Sequence, residues 1–290
     1  MSTKLSRHVA NFAKAAIRKS ISVALWPAGP VNRDRVYFEL AQEMAPIKEH
    51  RIDGRALKFV CPSYDSLYRF EHFFEKEPET LAWIDGFAPD DVLWDIGANV
   101  GVYSLYAAVK GCRSVAFEPS AGNYWLLNRN VEVNRLDDRI TAYCLAFADQ
   151  CTAGVFNMAD TDLGGACYAF GDRADQFDYP GLGAREVVYH QGVVGVSIDE
   201  FIRLFKPAFP NHIKIDVDGT ERSIIAGAVA TIADPRMRSV SIEMDQTETS
   251  EVAFVTDILG ARGFRLVQMK HAAMFDDSVS RDSFNYLFSR

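Results

Sequence analysis

The chain of 290 residues contains no uninterrupted apolar stretch approaching the ~18 to 20 residues that a bilayer-crossing helix needs, and its N-terminus lacks the compact apolar region of a secretory signal. A membrane-spanning protein and an exported one are therefore not expected. Cysteine is sparse. Cys61, Cys112, Cys144, Cys151 and Cys167 are odd in number and form no C-x-x-C pair, so neither a disulfide framework nor a zinc site is indicated, and a reducing cytoplasm is the expected location. No repeat or low-complexity tract is present. Acids are missing from the first 33 residues, which carry Lys4, Arg7, Lys14, Arg18, Lys19 and Arg33, and outnumber bases in the rest. With a net charge of -8 for the whole, the other 257 residues carry -14. A polyanionic substrate normally meets a basic footprint, so nucleic acid is not an expected partner.

A hydrophobic content of 48% suffices for a large core, and the length fits a core domain of about 200 residues with an N-terminal extension. The most informative stretch is Asp95-Ile96-Gly97-Ala98-Asn99-Val100-Gly101. Asp91 to Trp94 before it reads as a strand entering a buried sheet, and Val102 to Ala108 after it as a helix. Glycine in such a turn permits positive φ and close approach of a ligand, and the following helix N-terminus offers unpaired N–H groups. A cofactor carrying adenosine is the first expectation. The glycines follow D-x-G-x-x-x-G rather than the G-x-G-x-x-G that admits a dinucleotide pyrophosphate. About 20 residues on, Ser114 to Pro119 forms a second apolar strand that ends in Glu118, placed to accept hydrogen bonds from a ribose diol. Asp216, within Ile213-Lys214-Ile215-Asp216-Val217, would be costly to bury without a partner.

Three segments, Asp95 to Tyr103, Ala116 to Pro119 and Ile213 to Glu221, together resemble the S-adenosylmethionine-dependent methyltransferases of the FkbM family. The third is the most specific: Lys-Ile-Asp-Val-Asp-Gly-x-Glu followed by a helix containing Gly227-Ala228. Asp218 stands where the family usually has glutamate, which keeps the charge and shortens the reach. The resemblance runs from roughly Glu77 to the C-terminus. It implies a Rossmann-like class I methyltransferase fold: α/β, with a seven-stranded, mostly parallel sheet in order 3-2-1-4-5-7-6 and an antiparallel last strand. It implies S-adenosylmethionine as cofactor, with Asp95, Gly97, Ala98, Asn99 and Gly101 around the methionine end, Glu118 and Pro119 at the ribose, and Ala146 and Phe147 at the adenine edge. Asp216 and Asp218 would face the reaction centre. Glu77 and Thr80, opening a helix beside the cofactor, are weaker candidates for which helix capping is an equal reading.

Two domains are expected: residues 1–76 as an extension of amphipathic helix, short helix and β-hairpin, and residues 77–290 as the methyltransferase domain. Leu5, Val9, Phe12, Ala13, Ala16 and Ile17 share one side of the first helix, opposite Lys4, Arg7, Lys14 and Arg18. One reading lays residues 4–25 peripherally on an anionic membrane surface at the inner face. The other, favoured because alanine supplies much of the apolar face, packs the helix on the enzyme body or a second subunit. Pro27 to Pro30 ends that helix, Asp34 to Ala45 reads as the next, and Asp53-Gly54 marks a hairpin within Arg51 to Val60. Further strands are expected at 140–147, 212–217, 239–244, 264–269 and 284–288, the last two as an antiparallel hairpin. The glycine- and aromatic-rich segment 149–196 is too long for a plain connection. It should line the ligand crevice with Gly164, Gly165, Tyr168, Phe170, Tyr189, His190 and Gln191, or form a hairpin from 187–189 and 193–194.

The expected reaction is O-methylation of a hydroxyl on a carbohydrate or other small polyhydroxyl acceptor. A hydroxyl is a poor nucleophile at neutral pH, so a general base is needed. Asp216 and His190 are the candidates, with His212 behind them, although a histidine opening an apolar strand is usually structural. Asp216, Asp218 and Glu221 have the chemistry of a magnesium site, but no histidine or second acid cluster completes it and no metal is expected. Two other classes compete. A nicotinamide-dependent oxidoreductase would explain the first turn but not the Asp216 motif. A noncatalytic membrane-surface binding protein would explain the basic helix alone.

Overall fold

The structure is a computed structural model and describes residues 2–179, 183–278 and 280–290. The chain forms two compact units, 1–46 and 47–290. In the first, α1 (Ser2–Ala24) leads through a short 3-10 turn at Trp26–Ala28 into α2 (Gly29–Glu43). The second helix begins five residues earlier than expected, because Pro30 lies in a first turn whose N–H groups need no intrahelical partner. Among the described residues no helix is long and apolar enough to cross a membrane.

The second unit begins with the hairpin of β1 (Ile47–Ile52) and β2 (Arg55–Val60). Asp53 and Gly54 both take positive φ at its turn, 49° and 80°, the hand that matches strand twist. The sequence had put this hairpin with the extension. It lies instead in the larger unit, because the N–H groups of Lys58 and Val60 donate to Asn134 Oδ1 and Asn130 Oδ1, both at 2.8 Å. Next come α3 (Tyr64–Glu71), capped by Ser63, and α4 (Pro78–Asp85).

The core alternates thereafter: β3 (Val92–Ile96), α5 (Val102–Val109), β4 (Arg113–Phe117), α6 (Ala121–Asn134) and β5 (Ile140–Tyr143). The strand expected at 140–147 stops at Tyr143. Ala146 and Phe147 form a separate β6 that leaves the main sheet. The long segment then builds β7 (Thr152–Met158), β8 (Ala169–Gly171), β9 (Gln176–Tyr179), β10 (Gly183–Glu186) and β11 (Tyr189–Val196). A second sheet has the order β6-β11-β7-β8. The hairpin expected within 187–194 is absent among the described residues, because β11 runs straight through it, antiparallel to β7 from Tyr189↔Met158 to Gly195↔Thr152. Gly154 and Gly195 leave room for the Phe170 ring there, where a Cβ would come within 2.8 Å of it.

The chain closes with α7 (Ile198–Phe205), β12 (His212–Ile215), α8 (Glu221–Ala226), α9 (Val229–Ala233), β13 (Ser239–Asp245), α10 (Thr249–Gly260), β14 (Arg265–Lys270) and β15 (Ser283–Ser289). The main sheet has seven strands ordered β5-β4-β3-β12-β13-β15-β14. Counting only these seven along the chain, that order is 3-2-1-4-5-7-6, as the resemblance implied. β15 is antiparallel to both of its neighbours, β13 and β14, whereas β5, β4, β3, β12 and β13 pair with one another in parallel. This is the class I methyltransferase arrangement. Trp94, Phe117, Phe147 and Phe201 pack together on one face of the central strands, and Trp94 Nε1 donates to the Ala208 carbonyl at 3.0 Å.

Candidate active site

The parallel strands β3, β4 and β12 end at one edge, and the order reverses between β3 and β12, the place where α/β sheets hold ligands. Immediately after β3, Gly97 has φ +83° and sits so close to the tip of β12 that a Cβ would stand 1.9 Å from the Asp216 carbonyl oxygen. The Asp216 N–H donates to the Ile96 carbonyl at 3.0 Å, and the N–H groups of Gly97 and Ala98 both donate to the Phe117 carbonyl. Asn99 and Gly101 also take positive φ, and Gly101 turns the chain into α5 at a place where a Cβ would stand 3.1 Å from Leu127 Cγ. The turn therefore holds three strand tips in contact.

Beside it opens a cleft of about 200 Å³. Of the nominated residues, Glu77, Gly97, Asn99, Glu118, Pro119, Ala146, Phe147, Asp216 and Asp218 line it. Asp95 does not. It is buried behind the turn, where Ser104 donates to it twice, from N at 3.1 Å and from Oγ at 2.7 Å, and burial raises its carboxyl above the usual range. Ala98 lines a smaller adjoining cavity with Arg69 and Tyr103, and Gly101 shapes the backbone. From the long segment, Phe156, Gly165, Ala166, Cys167, Tyr168 and Phe170 reach the cleft. Tyr189, His190 and Gln191 do not. Gln191 braces the turn after β4, bonding the Pro119 carbonyl and the Ala121 N–H.

Glu118 is 5% exposed, and its two oxygens accept the N–H groups of Asn99 and Ser120, both at 2.8 Å. Burial pushes its carboxyl up to about 7 against the pull of those two bonds. Lys214, 1% exposed, lies 2.7 Å from Asp216 and 3.3 Å from Glu77, and faces the Tyr103 ring at 4.7 Å. Burial alone would lower the Lys214 ammonium, but Asp216 and Glu77 outweigh it and hold it raised. By the same pairing Asp216, which burial would push up, is held well below the carboxylate range by Lys214, with Lys76 adding to it. Glu77 occupies the N-cap position of α4, but its side chain makes no capping bond to the helix backbone. Its carboxylate accepts Thr80 Oγ1 at 2.9 Å and pairs with Lys76 at 3.0 Å and with Lys214. Glu243, on β13 in the same wall, is raised well above its usual value by burial and by Asp216.

Glu77, Asp216 and Glu243 bring carboxylate oxygens within 4.8 Å of one another, a different trio from the Asp216, Asp218 and Glu221 weighed from sequence. Lys214 already supplies positive charge to two of its members. Asp218, at φ 60°, accepts the Cys167 N–H at 2.9 Å and so ties the long segment to the tip of β12.

Neither histidine nominated as a base reaches the cleft. His190 lies in β11 opposite Asn157, with Nε2 on the Ala174 carbonyl at 2.8 Å. His212 starts β12, at the far end of the strand from Asp216, stacked on Phe87 at 3.7 Å and bonded to Ser239 and Asp91. Residues that sequence reasoning did not nominate also line the cleft: Arg69, Lys76, Glu243, His271, Phe275 and Asn285. Three buried polar atoms lack a hydrogen-bond partner among the described residues, Asn99 Oδ1, His271 Nδ1 and Asn285 Oδ1, and all three belong to cleft-lining residues. Unpaired polar groups are costly in a protein interior, so their concentration here fits a ligand that satisfies them. The acids at strand tips, the close turn at Gly97 and the aromatic wall of Phe117, Phe147 and Phe156 suit an adenosine-bearing sulfonium.

The fold and this cleft define a class I methyltransferase domain. The model of the methyltransferase FkbM domain matches residues 95–266, more than half of the chain, and the chain belongs to that family. Among characterised relatives, it is 22% identical over 181 residues to the hexuronic acid methyltransferase AglP of Haloferax volcanii, covering 61% of this chain and 66% of that one. It is 25% identical over 210 residues to the 31-O-demethyl-FK506 methyltransferase FkbM of Streptomyces tacrolimicus, covering 62% and 74%. A shorter match, 36% over 93 residues, is to a tRNA (guanine(37)-N(1))-methyltransferase of Coprinopsis cinerea and spans 30% of this chain and 20% of that one.

Proposed function

We propose that the protein is an S-adenosylmethionine-dependent methyltransferase that transfers a methyl group to a hydroxyl of a carbohydrate or other small polyhydroxyl acceptor. The observation that carries the reading is the convergence of Gly97, Glu118 and Asp216 on one cleft at the reversal point of the sheet. Family membership supports it, and two relatives are named for a hexuronic acid and for 31-O-demethyl-FK506.

When bound, the cofactor supplies an electrophilic methyl carbon on a positively charged sulfur. Each Glu118 oxygen keeps a lone pair beyond the N–H it accepts, and these two lone pairs would receive the ribose hydroxyls. Ala146 and Phe147, which line the cleft, would border the adenine. Lys76 and Arg69 on the cleft wall suit the carboxylate of the methionine end, and the ionised Asp216 suits its positive charge. An in-line displacement asks the protein mainly for alignment in a dry site, and the bond from Asp216 N to Ile96 supplies a fixed floor. Its ion pair with Lys214 suits Asp216 to the part of a fixed negative charge. The acidic body continues to favour a small acceptor over a nucleic acid.

The test is transfer of labelled methyl from S-adenosylmethionine to free hexuronic acids, their methyl glycosides and neutral hexoses, with a transfer RNA as comparison. Label in a base-stable ether on a sugar is the expected result. Label in RNA alone would overturn the acceptor class.

A further inference from the structure

The β14–β15 connection carries a histidine, His271, with one ring nitrogen held and the other unpartnered. His271 directs Nε2 to Asp276 Oδ1 at 3.0 Å, and its ring stacks on Phe284 at 4.2 Å and 9°. Its side chain is 17% exposed and lines the cleft, while Nδ1 is buried without a partner. Packing and a carboxylate thus fix the ring, put the mobile proton on Nε2 and leave the Nδ1 lone pair unused. This is the arrangement by which an acid orients a histidine base.

The other groups of the cleft are poorly suited to take a proton. Asp216 and Glu77 are spent on Lys214 and held low. Glu243 is pushed toward its protonated form. Both Glu118 oxygens accept backbone N–H groups at the ribose position, and Asp218 accepts the Cys167 N–H. The charges that bear on His271 are acidic: Asp276 on its own connection and Asp282 just before β15.

We propose that His271 Nδ1 is the general base that deprotonates the acceptor hydroxyl, with Asp276 as its positioning residue. The inference rests on the methyltransferase reading above and names the proton acceptor in it. As the acceptor oxygen bonds to the methyl carbon, the carbon–sulfur bond breaks with its electron pair left on sulfur, which becomes neutral. His271 Nδ1 takes the hydroxyl proton, the O–H electron pair stays on oxygen, and the imidazolium later returns its proton to water.

The experiment has three arms on the full chain. Calorimetry with S-adenosylhomocysteine comes first: no binding by the unaltered protein overturns the methyltransferase reading itself, separately from the base. Next, His271→Gln should bind S-adenosylhomocysteine within threefold of the unaltered protein and keep its KM for a hexuronic acid glycoside. Its kcat should fall about 100-fold or more, the span of general-base catalysis. A kcat within threefold overturns the assignment. Nitrogen-15 NMR of the histidines needs no acceptor and no folded variant at position 271. The neutral ring of His271 should carry its proton on Nε2, and Asp276→Asn should mix the two tautomers and lower kcat with KM unchanged. A proton found on Nδ1 overturns the proposal.

Discussion

Replacing Gly97 with alanine tests how tightly the turn after β3 is seated on the tip of β12. At φ +83° any L-residue costs about 1 to 2 kcal/mol. The new Cβ would stand 1.9 Å from the Asp216 carbonyl oxygen and 2.9 Å from its carbon. Both are backbone atoms that move only if the strand tip moves, so overpacking adds about 1 to 3 kcal/mol. Alanine returns about 0.4 to 1 kcal/mol by restricting the unfolded chain. The balance is a loss of about 2 to 4 kcal/mol, and with a urea slope of about 3 kcal/mol/M the midpoint falls by roughly 1 M. Gly219→Ala is the control. Its φ is +105° with nothing within 4 Å of the added carbon, so it loses only the conformational part, about 1 kcal/mol. Because Asp216 must shift, Gly97→Ala should also weaken S-adenosylhomocysteine binding at least tenfold. A Gly97→Ala midpoint no lower than that of Gly219→Ala would refute the reasoning.

Lys214→Met leaves Glu77 and Asp216 facing each other without their shared cation, and removing one partner of a buried ion pair costs about 3 to 5 kcal/mol, read as a lower denaturant midpoint at pH 7. An unchanged midpoint would show that Lys76 alone neutralises the cluster. His212 supplies the pH dependence. Burial lowers its ring to about 4, so between about 6.5 and 4 the unfolded chain binds the proton that the folded one refuses. Its contribution is therefore complete above about pH 6.5 and lost as the pH falls toward 4, by at most about 3 kcal/mol. His212→Phe should flatten that limb of the stability curve, and an unaltered limb would assign it to other groups.

The sheet was legible because β3, β4 and β12 are short apolar runs closed by a glycine or an acid, and because the last two runs have no long helix between them. The order of the seven strands came from the resemblance rather than from periodicity. Local patterning could not show that Cys144 and Leu145 divide a continuous apolar run, since β6 is diverted by pairing with β11, some fifty residues later. Gly97, Glu118 and Asp216 were readable because strand tips carry their own punctuation. His190 misled because a histidine in a polar segment looks the same whether it faces a ligand or a carbonyl. Lys214 left a signal that went unused, a lysine between two isoleucines in a buried strand. His271 and Asn285 left none, as their roles come from the way β15 returns beside β13.

The central claim is that the edge formed by Gly97, Glu118 and Asp216 holds an adenosine-bearing sulfonium and not a dinucleotide. Titration calorimetry of the full chain with S-adenosylhomocysteine, and in parallel with the oxidised and reduced nicotinamide dinucleotides, tests it most directly. The account predicts one site for the thioether with micromolar affinity, abolished or weakened by Gly97→Ala, and no heat with either dinucleotide. Dinucleotide binding at one equivalent, with no response to S-adenosylhomocysteine at millimolar concentration, would contradict it.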